Sequence, residues 1–216
     1  MSTCCSAFRD VAGSHFDAAK VAKELERYHK SGPGPTTRLL RDGLVDAGLA
    51  RGVLLDIGAG FGALTFELLE RGMTRAIAVD GSSSYLAAVA DEARRRAKDM
   101  TVETVHADFV DVAASLPCAD VVALDRVVCC YPQMEALVRA AAARAYGTLA
   151  LSYPRGLWYV RASLAIENAR RRMTGNPFRT FVHSPIDMEQ LIRDAGFRLR
   201  SRRRTWMWSV DVYVRV

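Results

Sequence analysis

The sequence predicts an α/β fold built on a Rossmann-like, doubly wound sheet of seven strands. The first observation is an apolar run that starts at Val53 and has no polar break until Asp56, typical of a strand buried on both faces. The second is the glycine-rich turn after it, which leads into a predicted helix from Ala63 to Arg71. The third is the end of the chain, where residues 197–203 and 207–215 alternate as two strands. We therefore expect a mostly parallel sheet with an antiparallel C-terminal strand and helices on both faces.

The turn after the first strand carries glycines at three alternate positions, Gly58, Gly60 and Gly62. Because glycine lacks a Cβ atom, a ligand can lie against the backbone of this turn, near the unpaired N–H groups of a helix N-terminus. Gly58, Gly60 and Ala63 also satisfy the looser dinucleotide fingerprint, which permits alanine at its last position. The turn indicates a nucleotide-binding site and leaves the nucleotide open.

Two acidic residues sharpen this interpretation. Asp56 precedes the first glycine by two residues, where a carboxylate would repel a pyrophosphate and favour a cationic ligand. A second predicted strand, Arg75 to Val79, ends at Asp80, roughly the twenty residues downstream at which a ribose-binding carboxylate is expected.

These motifs resemble the class I S-adenosylmethionine-dependent methyltransferases. The similarity rests on residues 55–62 (Leu-Asp-Ile-Gly-Ala-Gly-Phe-Gly), on Val79-Asp80 and on residues 106–109 (His-Ala-Asp-Phe), and it extends from about Leu39 to Val216. Tyr131-Pro132 is further similar to small-molecule methyltransferases of the magnesium-protoporphyrin O-methyltransferase kind. The resemblance implies S-adenosyl-L-methionine as the cofactor. The residues that it places at the cofactor are Asp56, Gly58, Gly60, Gly62, Asp80, Asp108, Phe109 and Asp125.

The resemblance also implies individual roles. Asp80 would hold the ribose hydroxyls, and Asp108 would accept the adenine amino group while Phe109 packs on the ring. A carboxylate at position 108 could equally cap a turn. Asp125 ends the fourth predicted strand, where ligands bind in open α/β sheets, although it could instead pair with Arg126.

Methyl transfer from a sulfonium requires alignment of donor and acceptor, exclusion of water and removal of one proton. The candidates for the base are His183 and Tyr131. A histidine with a pKa near neutrality can take a proton from a phenol or an acid. The alternative for His183 is a plain hydrogen bond to the backbone.

Two segments outside the sheet are predicted to cover the site. By the resemblance, residues 1–50 form an N-terminal helical lid, in which Tyr28, His29 and Thr37 approach the cofactor. Residues 51–216 form the methyltransferase domain, with a helical insertion at about 155–183. The aromatic residues of this insertion suit a flat or apolar substrate, and its arginines suit a carboxylate or phosphate.

The composition sets wider bounds. A length of 216 residues with 50% hydrophobic content is enough for one domain with a full core. Neither a membrane span nor a signal peptide is visible. The five cysteines include two adjacent pairs, Cys4-Cys5 and Cys129-Cys130, which suit no disulfide framework, so we expect a reducing cytoplasm. These pairs could bind a soft metal. Adjacent cysteines chelate a tetrahedral ion poorly, however, and we expect no metal.

Arginine carries most of the net charge of +6. Three clusters, at residues 94–96, 170–172 and 202–204, could touch phosphates, which makes RNA methylation an alternative function. A solvated helix face or strand end is the favoured interpretation, because the clusters lack interleaved aromatic residues. A basic rim that attracts an acidic small molecule fits equally well.

The leading hypothesis is therefore methyl transfer to a small molecule, aromatic or acidic in character. No Asn-Pro-Pro-Tyr-like tetrapeptide follows the fourth strand, which argues against methylation of amino groups in DNA. Gly58, Gly60, Ala63 and Asp80 alone also permit an NAD(P)-dependent oxidoreductase. A non-catalytic cofactor scaffold or soft-metal binder is a further alternative. The acceptor and the oligomeric state are left open.

Overall fold

The computed structural model of the chain describes residues 11, 13 and 15–216, so Cys4 and Cys5 lie outside the described residues. Seven strands form one sheet in the order β3-β2-β1-β4-β5-β7-β6. The strands are β1 Gly52–Ile57, β2 Met73–Asp80, β3 Val102–His106, β4 Ala119–Asp125, β5 Ala145–Pro154, β6 Phe197–Arg204 and β7 Trp208–Arg215. The predicted fold class is confirmed.

Strand β7 is the one antiparallel member of this sheet. It pairs antiparallel with both β5 and β6, whereas β1 to β5 pair in parallel, so β6 runs in the same direction as β1 to β5. Strand β1 lies between β2 and β4, and the chain therefore adds strands first on one side of β1 and later on the other. This arrangement opens a crevice at the carboxyl ends of β1 and β4, where ligands bind in open α/β sheets.

Helices cover both faces of the sheet, as predicted. The helices of the described residues are α1 Ala18–Ser31, α2 Pro35–Asp46, α3 Ala63–Leu69, α4 Ser83–Arg95, α5 Phe109–Val112, α6 Met134–Arg144, α7 Trp158–Met173 and α8 Pro185–Asp194. Helix α4 ends at Arg95, and Ala97 just beyond it has a φ of +53°. Within the described range, no helix is both long and apolar enough to cross a bilayer.

Alternation along the strands creates two cores. Leu55 and Ile57 of β1 face one core, which contains side chains of α5, α6 and α8, while Leu54 faces the other, which contains side chains of α2, α3 and α4. Leu40 and Leu44 of α2 are completely buried in this second core. Helix α2 is therefore part of the packed domain, although it precedes the glycine strand.

Most members of the three arginine clusters have acidic partners. Arg95 and Arg96 bond to the buried Glu92 of their own helix. Arg202 lies 2.7 Å from Asp211, a fully buried carboxylate of β7 that also accepts hydrogen bonds from Tyr153 and Tyr213. The interpretation of a solvated strand end is thus wrong for Arg202, because this side chain neutralises a charge inside the sheet.

We expect Arg202→Met to destabilise the fold by about 3 kcal/mol, since it leaves the carboxylate of Asp211 buried without its cationic partner. Urea unfolding followed by circular dichroism measures the change in free energy of unfolding. Arg203→Met is the matched control, because Arg203 pairs with the exposed Asp46 and its loss should cost less than about 1 kcal/mol. Equal effects of the two substitutions would contradict this view of the β6–β7 pair.

Candidate active site

The turn between β1 and α3 depends on its glycines. Gly58, Gly60 and Gly62 have φ values of +62°, +57° and +83°. Residues with a Cβ atom rarely adopt this left-handed backbone conformation. A Cβ on Gly58 would lie 2.5 Å from the side chain of Val127, whereas one on Gly60 would meet only the ring of Tyr85, at 3.9 Å. The backbone at Gly60 is therefore less closely covered than the backbone at Gly58.

Asp80 joins this turn to the helix after β2. Its carboxylate accepts hydrogen bonds from the backbone N–H of Gly60 at 2.9 Å and from that of Ser82 at 2.8 Å. Ser82 caps α4, as the sequence predicted. Burial raises the pKa of Asp80 to about 6. This carboxylate is thus held at the carboxyl end of β2, directly against the glycine turn.

Asp56 is buried beneath the same turn. Its carboxylate accepts a 2.7 Å hydrogen bond from the hydroxyl of Thr65 in α3. Burial raises its pKa to about 7, and the nearby charges of Asp125 and Asp80 act in the same direction. The site therefore concentrates negative charge in a region with little water, which favours a positively charged ligand.

Asp125 ends β4 on the other side of the crevice. It accepts 2.6 Å hydrogen bonds from the hydroxyls of Thr37 and Ser152. The alternative of an ion pair between Asp125 and Arg126 is wrong: among the described residues, the guanidinium of Arg126 makes neither a hydrogen bond nor an ion pair. Thr37 approaches the site as the sequence predicted, and Ser152 could have been identified from its position near the end of the fifth strand.

Asp108 follows β3 and caps α5 by accepting a hydrogen bond from the N–H of Val110. It also accepts hydrogen bonds from the hydroxyl of Tyr131, which lies 3.1 Å from both carboxylate oxygens. The next residue, Phe109, is buried in the core that contains α6. The capping alternative of the sequence analysis is thus realised, and Tyr131 is directed at Asp108.

His183 lies beside the backbone of Tyr131. Its Nε2 is 2.9 Å from the backbone carbonyl of Tyr131 and donates a hydrogen bond to it. Burial lowers the pKa of His183, so the imidazole is neutral at physiological pH. Both candidate bases therefore lie next to each other, and the backbone hydrogen bond that the sequence analysis left open for His183 is present.

The N-terminal segment and the insertion meet at the edge of this crevice. The backbone carbonyl of Phe16 accepts a hydrogen bond from Ser82, and the ring of Phe16 lies 5.0 Å from that of Tyr85 and 5.3 Å from that of Phe178. His15 stacks on Phe178 at 4.1 Å. These contacts join residues far apart in the chain. The sequence analysis missed them, because no local pattern marks such pairs.

Two of the lid residues named from the sequence lie around α3 and α4. The hydroxyl of Tyr28 donates to Glu67, and its ring lies 5.5 Å from that of Phe61 in the glycine turn. His29 bonds to Glu92 of α4. Tyr28 thus contacts the turn from outside, and His29 supports the helix next to it.

The turn after β4 places two sulfur atoms together. The thiols of Cys129 and Cys130 are 3.6 Å apart, and both donate to the carbonyl oxygen of Arg126. Interaction with the neighbouring thiol of Cys129 lowers the pKa of Cys130, and the charges of Arg126 and Arg171 lower it further. Two cationic side chains therefore lie near this pair. Nowhere in the described ranges could three or more His, Cys, Asp or Glu side chains jointly hold a metal ion.

Comparison with known proteins identifies the central part of the chain. Residues 54–150 match a family model described as a methyltransferase domain. A search of curated proteins by sequence finds no match. The matched range begins in β1 and ends in β5, so it contains the glycine turn and all four strand ends described above.

Solved structures show the same fold. The magnesium protoporphyrin IX methyltransferase of Synechocystis PCC 6803 with bound SAH is similar with a TM-score of 0.70 and 18% identity, over 97% of this chain and 100% of that one. The CcbJ methyltransferase of Streptomyces caelestis gives 0.62 and 18%, over 88% and 95% of the two chains. An O-methyltransferase family protein of Burkholderia thailandensis gives 0.66 and 17%, over 83% of this chain and 56% of that one.

The fold and the matched range point to one class of protein. Residues 54–150 match the model of a methyltransferase domain, and the seven-stranded sheet has the fold of the class I S-adenosylmethionine-dependent methyltransferases. The resemblance inferred from the glycine turn and the strand ends is confirmed. The magnesium protoporphyrin IX methyltransferase shares the fold of this chain, and the narrower likeness at Tyr131-Pro132 stays a prediction.

The raised pKa of Asp80 generates a prediction for ligand affinity. Between pH 7.5 and 5.5 this carboxylate gains a proton and can no longer accept a hydrogen bond at both oxygens, so affinity for S-adenosylhomocysteine should fall about fourfold. Isothermal titration calorimetry at the two pH values measures the ratio. Asp80→Asn should bind more weakly with most of this dependence removed, and an unchanged dependence in that variant would contradict the assignment.

The raised pKa of Asp80 has the opposite effect on the stability of the free protein, which increases as the pH falls. A carboxyl group whose pKa is higher in the folded state stabilises the fold at low pH, and this contribution is lost as the pH rises through about 6. Weaker binding at pH 5.5 would thus not result from the titration of Asp80 destabilising the fold.

Proposed function

We propose that this protein binds S-adenosylmethionine at the crevice and transfers its methyl group to a small-molecule acceptor. The observation that carries the proposal is the meeting of Asp56, Asp80 and Asp125 around the glycine turn. Buried carboxylates with raised pKa values suit a ligand that combines a positive charge with hydroxyl groups. When bound, the cofactor supplies an activated methyl group on a sulfonium. The neighbour from Synechocystis PCC 6803, which contains SAH, supports this choice of cofactor.

Each strand end would hold a different part of the ligand. Asp80 would accept hydrogen bonds from the ribose hydroxyls, and Gly60 would let the ligand lie close to the backbone. Asp108, next to the core residue Phe109, would read the adenine amino group. Asp56 would provide negative potential without direct contact, because Thr65 already binds its carboxylate.

The side of the crevice where the methyl acceptor would bind, at the turn after β4, carries positive charges. The charges of Lys20, Arg126 and Arg171 all act on Cys130, which places these cations around the turn after β4. Lys20 and Arg171 also lower the pKa of His15, to about 4, in addition to the effect of its burial. We therefore propose an acceptor with an acidic group, and the rings of Phe16 and Phe178 at the same edge favour a flat molecule.

Residues 1–50 and the insertion at about 155–183 would close over the bound ligands. The hydrogen bond from Thr37 to Asp125 and the contact of Phe16 with Phe178 join these segments to the crevice and to each other. Such a cover excludes water from the reacting groups and aligns the acceptor with the methyl group.

Cofactor choice is the direct test of this function. Isothermal titration of the purified protein should show one site for S-adenosylhomocysteine and no heat with NAD or NADP. The same titration with Ser152→Ala tests the contribution of Asp125, because this substitution removes a hydrogen bond to Asp125 and leaves the glycine turn and Asp80 unaltered. Binding of NAD and not of S-adenosylhomocysteine would overturn the proposal and favour an oxidoreductase.

Once a substrate screen has identified an acceptor, the kinetics of two variants should distinguish the two candidate bases. If neutral His183 takes the proton, His183→Asn should lower kcat by about a hundredfold and leave the Kd for S-adenosylhomocysteine unchanged. Tyr131→Phe removes a donor to Asp108, so it should weaken cofactor binding if Tyr131 only positions that carboxylate. Normal kcat values in both variants would exclude both residues as bases.

A further inference from the structure

Helix α7 of the insertion exposes an apolar stripe. Trp158, Ile166 and Met173 are 79%, 71% and 87% exposed. At 100° per residue, these three and the exposed Ala162, Ala165 and Ala169 fall in a sector about 100° wide. Val160, the one buried side chain of this helix, lies on the opposite side. The stripe of α7 therefore points away from the protein.

A second exposed aromatic residue extends this surface. Trp206, in the turn between β6 and β7, is 67% exposed and stacks on Tyr159, with ring centroids 6.2 Å apart. The hydroxyl of Tyr159 also donates to the backbone carbonyl of Trp206. Tyr159 thus joins Trp206 to α7, and the stripe of α7 and Trp206 lie on one surface. Contiguous exposed apolar surface of this kind marks an interaction site.

Arginines flank the stripe on both sides. On the helical wheel, Arg161 and Arg172 border one edge and Arg170 lies beyond the other, and all three are exposed. Glu167, the one acidic residue of α7, projects to the far side, where it lies 3.3 Å from Arg171 and 3.9 Å from Arg170. Among the described residues, Arg161 and Arg172 therefore carry the unpaired charge beside the stripe. The partner of this face must therefore be both apolar and negatively charged.

We propose that the stripe of α7, with Trp206, docks the protein onto the surface of an anionic lipid bilayer. An interfacial helix buries a Trp-containing apolar face at the level of the headgroups while flanking arginines attract acidic lipids. The alanines between the bulky residues keep the face flat enough for shallow insertion. Such docking needs no membrane span.

A second copy of the chain fits this surface less well. Pairing of two stripes would bring the arginines of both copies to the same border, and the one acidic side chain of α7, Glu167, is already paired with Arg170 and Arg171 of its own helix. Like charges facing each other across an interface disfavour association. An acidic lipid surface neutralises the same arginines without this conflict.

Sedimentation of the full chain with lipid vesicles tests the proposal. The protein should bind vesicles of phosphatidylcholine mixed with phosphatidylglycerol, bind pure phosphatidylcholine much more weakly, and dissociate as salt is raised. Trp158→Ser and Met173→Ser should each weaken binding roughly tenfold. Arg172→Gln should weaken it by about fivefold.

Met100→Ser is the matched control, because Met100 is 92% exposed but lies in the turn before β3. This variant should bind vesicles like the unaltered protein. Absence of binding to the acidic vesicles, or equal losses for Met100→Ser and Met173→Ser, would overturn the proposal. A dimer in sedimentation equilibrium that Met173→Ser dissociates, without vesicle binding, would assign the stripe to a second copy instead.

Discussion

The two hydrogen bonds that Asp80 accepts are the interaction on which the geometry of the active site depends. One comes from Gly60 and the other from Ser82, so a single carboxylate at the end of β2 fixes both the glycine turn after β1 and the start of α4. The backbone donors offset part of the cost of burying this charge, but its pKa still rises to about 6. A carboxylate in this state binds hydroxyl donors strongly, because no surrounding water competes for it.

Helices α1 and α2 are attached to the rest of the domain in different ways. Helix α2 is held by Leu40 and Leu44 inside the core, and its Thr37 is bonded to Asp125, so movement of α2 would open the domain itself. Helix α1 is attached through polar and aromatic side chains, with Val21 and Tyr28 as its buried residues. Segments with few buried apolar contacts open at the lowest free energy. We infer that α1 provides the movable part of the proposed lid.

The sequence was sufficient for the sheet and for the strand ends, because both leave local signals. Alternation and glycine spacing mark β1 and its turn, and the carboxyl ends of parallel strands converge on one edge, so Asp56 and Asp80 had to lie close together. The partners of Asp211 and the contact of Phe16 with Phe178 were missed. The pairing of Asp211 with Arg202 depends on the exact register of β6 against β7, and the contact of Phe16 with Phe178 depends on packing between segments that are distant in the chain. The three arginines at 202–204 look alike in the sequence, yet Arg202 alone faces a buried carboxylate.

Within the crevice, the turn after β4 is the part that we propose selects the methyl acceptor. Arg126 has a φ of +62°, which is rare for a residue with a long side chain, and strained backbone of this kind concentrates at functional sites. The strain turns the chain directly after Asp125 and makes the carbonyl of Arg126 the acceptor for both thiols of the next turn. Because Arg126 lacks an acidic partner among the described residues, its charge is available to a ligand. We therefore propose that the ends of β1, β2 and β3 recognise the cofactor and that the turn after β4 recognises the methyl acceptor.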